Sequence, residues 1–334
     1  MLARKSEINH PLGIKLETPI LVPSFSSKGF GFGKSGESEV NEICSVASEY
    51  LTETMLISAF DIACGHISKF ESAITELTFV DSGGYEVSDF HDLSAVYKYP
   101  QKIQDWSIEK LTETYSSWPE HIPAVFVSYD HPNLRKSLQE QIDSAKKLFS
   151  DYPNQLHTLL VKPETDKQNY VQVQNVIGTC ENFGDFQIVG FTEKELGNSI
   201  LKRMSNIAEI RIAMDDKNMN IPIHIYGSLD PITSILYFLS GAEIFDGLTW
   251  LRYGYTNGYA CYWNNYGAKA ETIGIHRLDD FIKAKTIQEN LSTLIELTTQ
   301  MKKFLLEFDF NKFIHDPSFF ENCYDLLRTK NGRI

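Results

Sequence analysis

The chain has 334 residues, 42% hydrophobic and 12% aromatic, which is enough to bury a large core and too apolar for a disordered segment. Its 31 basic and 44 acidic residues give a net charge of −13, which works against non-specific binding to a phosphate backbone but leaves room for a local basic patch. Five scattered cysteines, Cys44, Cys64, Cys180, Cys261 and Cys323, never fall at C-x-x-C spacing, so neither a disulfide framework nor a cysteine-rich zinc site is expected.

No window approaches the roughly 20 apolar residues of a membrane helix, and the start, Met1 to Glu7, lacks the apolar centre of a secretory signal. The expectation is a cytoplasmic protein with no membrane partner. In chain order, eight short runs read as buried parallel strands: Ile20–Val22, Met55–Ile57, Thr78–Val80, Ala124–Val127, His157–Val161, Gln187–Val189, Ile223–Tyr226 and Glu243–Phe245. Helical patterns lie between most of them. Leu134, Leu138, Ile142, Ala145 and Phe149 share one face after Asn133 as N-cap, and another helix starts at Asp230-Pro231, cap and then first-turn proline. Alternating strands and helices predict α/β architecture, and eight strands predict an irregular (β/α)8 TIM barrel; an open doubly wound sheet stays as the alternative. An aromatic, Gly/Asn-rich stretch runs from Trp250 to Gly267, followed by an amphipathic pattern carrying Leu291, Leu294, Ile295, Met301, Leu305 and Phe308. With no repeat or linker, one domain over residues 1–334 is the simplest division, with the barrel over about 9–260 and the loop and C-terminal helices over 261–334.

Three aspartates fall where apolar runs end: Asp81 in Phe79-Val80-Asp81-Ser82-Gly83-Gly84-Tyr85, Asp130 in Val127-Ser128-Tyr129-Asp130, and Asp246 in Ile244-Phe245-Asp246-Gly247. In a barrel all three would sit on the C-terminal rim, where barrel active sites are built. Taken singly, each also fits a turn-starting or helix-capping aspartate. The loop Gly31-Phe32-Gly33-Lys34-Ser35-Gly36 matches G-x-G-x-x-G, but it begins several residues after its strand, and Lys28 stands where a P-loop needs its first glycine. A surface loop explains it better than a nucleotide cradle.

The combination of motifs resembles the tRNA-guanine transglycosylase superfamily. Asn9-His10-Pro11-Leu12-Gly13 through Pro23 looks like that family's first hairpin and strand, and Asp81-Ser82-Gly83-Gly84-Tyr85 like its Asp-Ser-Gly-Gly-aromatic signature. Tyr226-Gly227-Ser228-Leu229-Asp230-Pro231, Gly241 to Asp246, Thr249-Trp250-Leu251-Arg252 and Asn257-Gly258 follow in the family's order. The resemblance implies a barrel with an N-terminal hairpin and a C-terminal helical extension that exchanges guanine in a nucleic acid for a free 7-deazaguanine base. It makes Asp246 the nucleophile and Asp81 the general acid/base, with Ser82, Gly83, Gly84, Tyr85, Asp130, Lys162, Gly190, Phe191, Gly227 and Arg252 as substrate-binding residues. Lys162 stands where the family carries a glutamine. No cofactor is implied: the family's zinc site needs three close cysteines and a histidine, and this chain offers Cys261 and the distant His276.

Those two departures favour a DNA substrate slightly over tRNA, since a related branch of the superfamily acts on DNA. A homodimer or a completing partner subunit stays open. Arg252 and the aromatics from Trp250 to Tyr266 are candidates for holding the strand, or for packing against the C-terminal helix. The competing expectation is a non-catalytic barrel subunit or 7-deazapurine-binding module, and a third is a nucleotide-binding enzyme using the Gly31 to Gly36 loop.

Overall fold

The computed structural model describes residues 1–31, 38–68, 75–88, 105–262 and 279–334. Strands β1 (Glu7–Asn9) and β2 (Lys15–Glu17) form an antiparallel hairpin, and β3 (Ile20–Phe25) opens the barrel. Then follow α1 (Glu39–Ala47), β4 (Thr54–Ser58), α2 (Ala59–Ala63), β5 (Leu77–Asp81), α3 (Gly84–Val87), α4 (Ile108–Ser116), β6 (Ala124–Val127), α5 (Leu138–Phe149) and β7 (Leu156–Val161). The second half comprises α6 (Val173–Thr179), β8 (Ile188–Thr192), α7 (Ile200–Asp216), β9 (Ile223–Tyr226), α8 (Pro231–Leu239) and β10 (Ile244–Gly247). Parallel pairing runs in order from β3 to β10, and β10 pairs back onto β3, with Asp246 opposite Val22, closing a barrel of eight strands. All eight sequence-predicted runs are strands of this barrel, and the open-sheet alternative is excluded.

Strand periodicity explains why the barrel has two cores. Side chains of one parity, among them Ile20, Val22, Leu56, Phe79, Val125, Leu160, Ile188 and Ile244, fill the inside. Those of the other parity, such as Leu21, Ile57, Val80, Phe126, Val189 and Phe245, pack beneath the surrounding helices. Ile8 and Leu16 of the β1–β2 hairpin join the inner cluster. His10, next to β1, bonds through Nε2 to the Ala124 carbonyl (3.2 Å) and Gln155 Oε1 (3.1 Å) at the start of β6 and β7. The hairpin therefore forms the floor of the barrel at the strands' N-terminal ends.

The Asp230-Pro231 start of α8 is as expected, with the Asp230 carboxylate accepting from Ile232 and Thr233 N–H. The Asn133 start is not: α5 begins at Leu138 behind Ser137, whose hydroxyl and Glu140 make a reciprocal capping box, and Leu134 is exposed. A local cap that satisfies two free N–H groups prevails over an extra apolar residue upstream.

After the barrel come α9 (Thr249–Arg252), the hairpin β11 (Tyr253–Thr256) and β12 (Tyr259–Tyr262), and the C-terminal helices α10 (Asp279–Glu307) and α11 (Pro317–Asn331). Leu291, Leu294 and Met301 are buried, whereas Ile295 faces out and Phe308 lies beyond the end of α10. No helix among the described residues is long and apolar enough to cross a membrane. Residues 32–37 of the glycine-rich loop, the aromatic stretch beyond Tyr262 and His276 lie outside the described residues.

Candidate active site

The inward parity of the strands continues past the apolar layer and turns polar. Ser24 on β3, Ser58 on β4, Asp81 on β5, Lys162 just after β7, Thr192 on β8, Tyr226 on β9 and Asp246 on β10 all line one cavity of about 760 Å³ at the strands' C-terminal ends. That volume suits a small organic ligand. Asp130, from the loop after β6, completes the wall, with Gly84, Tyr85, Glu86, Trp106, Gly227 and Arg252 among the other lining residues.

Asp246 is almost fully buried, and both its oxygens are held: Ser24 Oγ donates to Oδ2 at 2.8 Å, and His224 Nε2 lies 3.0 Å from Oδ1. Asp81 reaches solvent only in part. Burial, followed by the negative charges of Asp130, Glu86 and Asp246, holds its carboxyl well above the usual carboxylate range. One carboxyl that holds its proton more tightly than usual and one oriented by two hydrogen bonds thus share a cavity.

The Asp81-Ser82-Gly83-Gly84 motif has a structural reading as well. Gly83 caps α3 with φ of +87°, against Trp106 and Phe60, and a Cβ on Gly84 would collide with the backbone carbonyl and carboxylate of Asp130. The Ser82 hydroxyl donates to Asp130 Oδ1, although Ser82 and Gly83 do not themselves line the cavity. Tyr85 does, with Lys28 Nζ 4.5 Å from its ring centroid and Arg252 Nη2 3.2 Å from its hydroxyl. Arg252 also donates to the Lys28 carbonyl at 2.9 Å, so its guanidinium is tied into the rim.

Lys162 points into the cavity. Its ammonium lies 2.7 Å from Glu195 Oε2 and 3.5 Å from Asp130 Oδ2, and it donates to Thr192 Oγ1 at 3.1 Å. Burial pulls its pKa down, but the two carboxylates outweigh burial and raise it, while burial raises Asp130 against the opposing charge of Lys162.

Two further expected binding residues, like Ser82 and Gly83, lie off the cavity wall. Gly190 lies within β8 beneath the ring of Tyr226, which takes the space a side chain there would need, and Phe191 points outward into the core under the helices. Neither lines the cavity. The aromatics after β10 divide. Trp250 is fully buried, edge-on to Phe25 and donating to the Ser24 carbonyl, and Tyr255 is buried too. Asn290 of α10 clamps this segment, donating to the Trp250 and Tyr253 carbonyls and accepting from Tyr255 N–H. Tyr253 lines the cavity, and Tyr259 and Tyr262 are exposed.

Sequence reasoning passed over Ser24, His224, Glu86 and Glu195. Glu86 accepts from Ser26 Oγ (2.5 Å) and Ser58 Oγ (2.8 Å), and burial together with the charge of Asp61 pushes its carboxyl to about 7. Asp61 in turn accepts from Ser27 and from His66 Nδ1. Among the described residues, no group of three or more His, Cys, Asp or Glu is arranged to hold a metal ion. No protein-family model matches this sequence, and no curated protein matches it significantly.

Proposed function

We propose that this protein is a base-exchanging transglycosylase acting on a polynucleotide, DNA ahead of tRNA, and replacing guanine with a free 7-deazaguanine base. The observation that carries this reading is the convergence of Asp81 and Asp246 on one cavity at the C-terminal rim, the first with its pKa raised by burial and the second oriented by Ser24 and His224. An Asp246 oxygen attacks the anomeric carbon of the nucleotide. The bonding pair of the C1′–N9 bond leaves with guanine, and the proton of Asp81 goes to the departing base. The incoming base then attacks the same carbon, displaces the carboxylate and returns its N9 proton to Asp81. Two inversions restore the original configuration without an energy-rich co-substrate.

In this reading Asp130 and Lys162 face the base, the carboxylate accepting from its N–H groups and the ammonium donating to its carbonyl oxygen. A 7-deazaguanine presents both kinds of group on its pyrimidine edge. A target within duplex DNA must also be unstacked, at a cost of a few kcal/mol.

The test is incorporation of radiolabelled guanine into double-stranded DNA, single-stranded DNA and bulk tRNA, comparing wild type with Asp246→Asn. Label in one polymer, at least about a thousandfold lower in the variant, is the expected result and names the substrate. Absence of label from all three transfers the weight to a barrel that binds a 7-deazapurine or a partner subunit without exchange, a reading that the net charge of −13 favours.

A further inference from the structure

His224 sits in the middle of β9, on the inward parity, with no exposed surface. Its ring stacks on Tyr226 at 3.9 Å between centroids and meets the edge of Phe79 at 5.5 Å. One nitrogen, Nε2, lies 3.0 Å from Asp246 Oδ1, and the other, Nδ1, has no hydrogen-bond partner among the described residues. An ionised carboxylate only accepts, so Nε2 carries the proton. The donor is therefore aimed at one oxygen of the proposed nucleophile, and two aromatic rings prevent it from turning away.

Such a bond has unequal effects on the two halves of a double displacement. When Asp246 attacks, its charge is spent and the hydrogen bond from Nε2 weakens. When the carboxylate is displaced, its charge returns and the same bond strengthens. A donor held in place thus favours the free carboxylate over the glycosyl ester.

We propose that His224 is a positioning residue that drives the second half-reaction, keeping the covalent glycosyl-aspartate short-lived by stabilising Asp246 as a leaving group. This rests on the transglycosylase reading above. Atoms balance without further components: the C1′–O bond to Asp246 breaks, its pair returns to the carboxylate under the Nε2–H donor, and the new C1′–N9 bond forms.

The experiment traps the covalent complex by denaturation, using the polymer that takes label in the exchange assay, in wild type, His224→Phe, His224→Met and His224→Gln. Phe keeps the ring stack and loses the donor, Met loses both, and Gln keeps an N–H donor. The expected result is an adduct fraction in Phe and Met at least about tenfold higher relative to free enzyme, the order for a lost hydrogen bond to a charged group. Single-turnover adduct formation should change by less than about threefold, and Gln should restore the wild-type fraction. If adduct formation and base return fall together in the donor-free variants, or if Gln fails to restore what Phe and Met change, the proposal is overturned while base exchange stands. If the wild type forms no adduct with any polymer, the transglycosylase reading falls and takes this proposal with it.

Discussion

Burial is the first cause of the raised pKa in each of three carboxyls on the cavity wall, Asp81, Glu86 and Asp130. Glu86 gives this a measurable form. Its carboxyl moves from an ordinary 4.5 to about 7, with Ser26 and Ser58 opposing the shift and the charge of Asp61 adding to it. Between those two values the folded protein holds a proton that the unfolded chain has released, so stability falls as pH rises through this window and is flat above it. Glu86→Gln removes the linkage. We expect the variant to match wild type near pH 4 and to gain up to about 3 kcal/mol on it at pH 8, read from urea unfolding at both pH values. Asp81 and Asp246 are legible in the sequence because an apolar run shows where its strand ends. Glu86 is not, because its burial depends on Ser26, Ser58 and Asp61, which come from separate segments of the chain. His224 stands between, since strict alternation in Ile223-His224-Ile225-Tyr226 turns it inward with Tyr226, but only the closed barrel places it beside Asp246.

The junction of β5 and α3 shows how an element can serve both fold and site. Gly83 takes a left-handed conformation to start α3, and Gly84 then passes so close to Asp130 that no side chain fits. Gly84→Ala should displace the loop after β6, costing about 1 to 3 kcal/mol in stability. If the proposed function holds, it should also weaken binding of a free 7-deazaguanine base, measured by calorimetry, through loss of the Ser82 and Lys162 contacts that orient the Asp130 carboxylate. Element boundaries were less legible than element identity. Leu134 has the spacing of the helix that follows, yet the Ser137 to Glu140 capping box fixes the start of α5 at Leu138. That signature is present in the sequence and was outweighed there by apolar spacing. Gly190 differs for another reason: the resemblance sets it in a base-binding loop, whereas it lies within β8 as a gap filled by the ring of Tyr226.

At the scale of the whole molecule, the strand where the barrel closes is anchored by a buried charge pair. Glu243, immediately before β10, accepts from Arg211 Nη2 on α7 at 3.0 Å, from Ser6 Oγ at 2.5 Å and from Thr18 Oγ1 at 3.1 Å, and both charged side chains are fully buried. Its backbone carbonyl accepts from Ile20 N–H and its N–H donates to Ile223, linking β3, β10 and β9. Arg211→Met leaves the carboxylate without its counter-ion. The expected cost is about 3 to 5 kcal/mol, measured by chemical denaturation. The contacts of Glu243 with Ser6, Thr18 and Ile20, each more than two hundred positions away, are set by closure and are invisible to periodicity, whereas the eight strands that close are not.

The β1–β2 hairpin adds a constraint on traffic. Because Ile8 and Leu16 stopper the barrel from below, the C-terminal rim is the doorway through which the cavity is reached among the described residues. In the reaction proposed above, that doorway lies under the bound polynucleotide. The expelled guanine and the arriving base must then pass in single file while the strand stays tethered to Asp246, and a guanine that lingers competes directly with its own replacement.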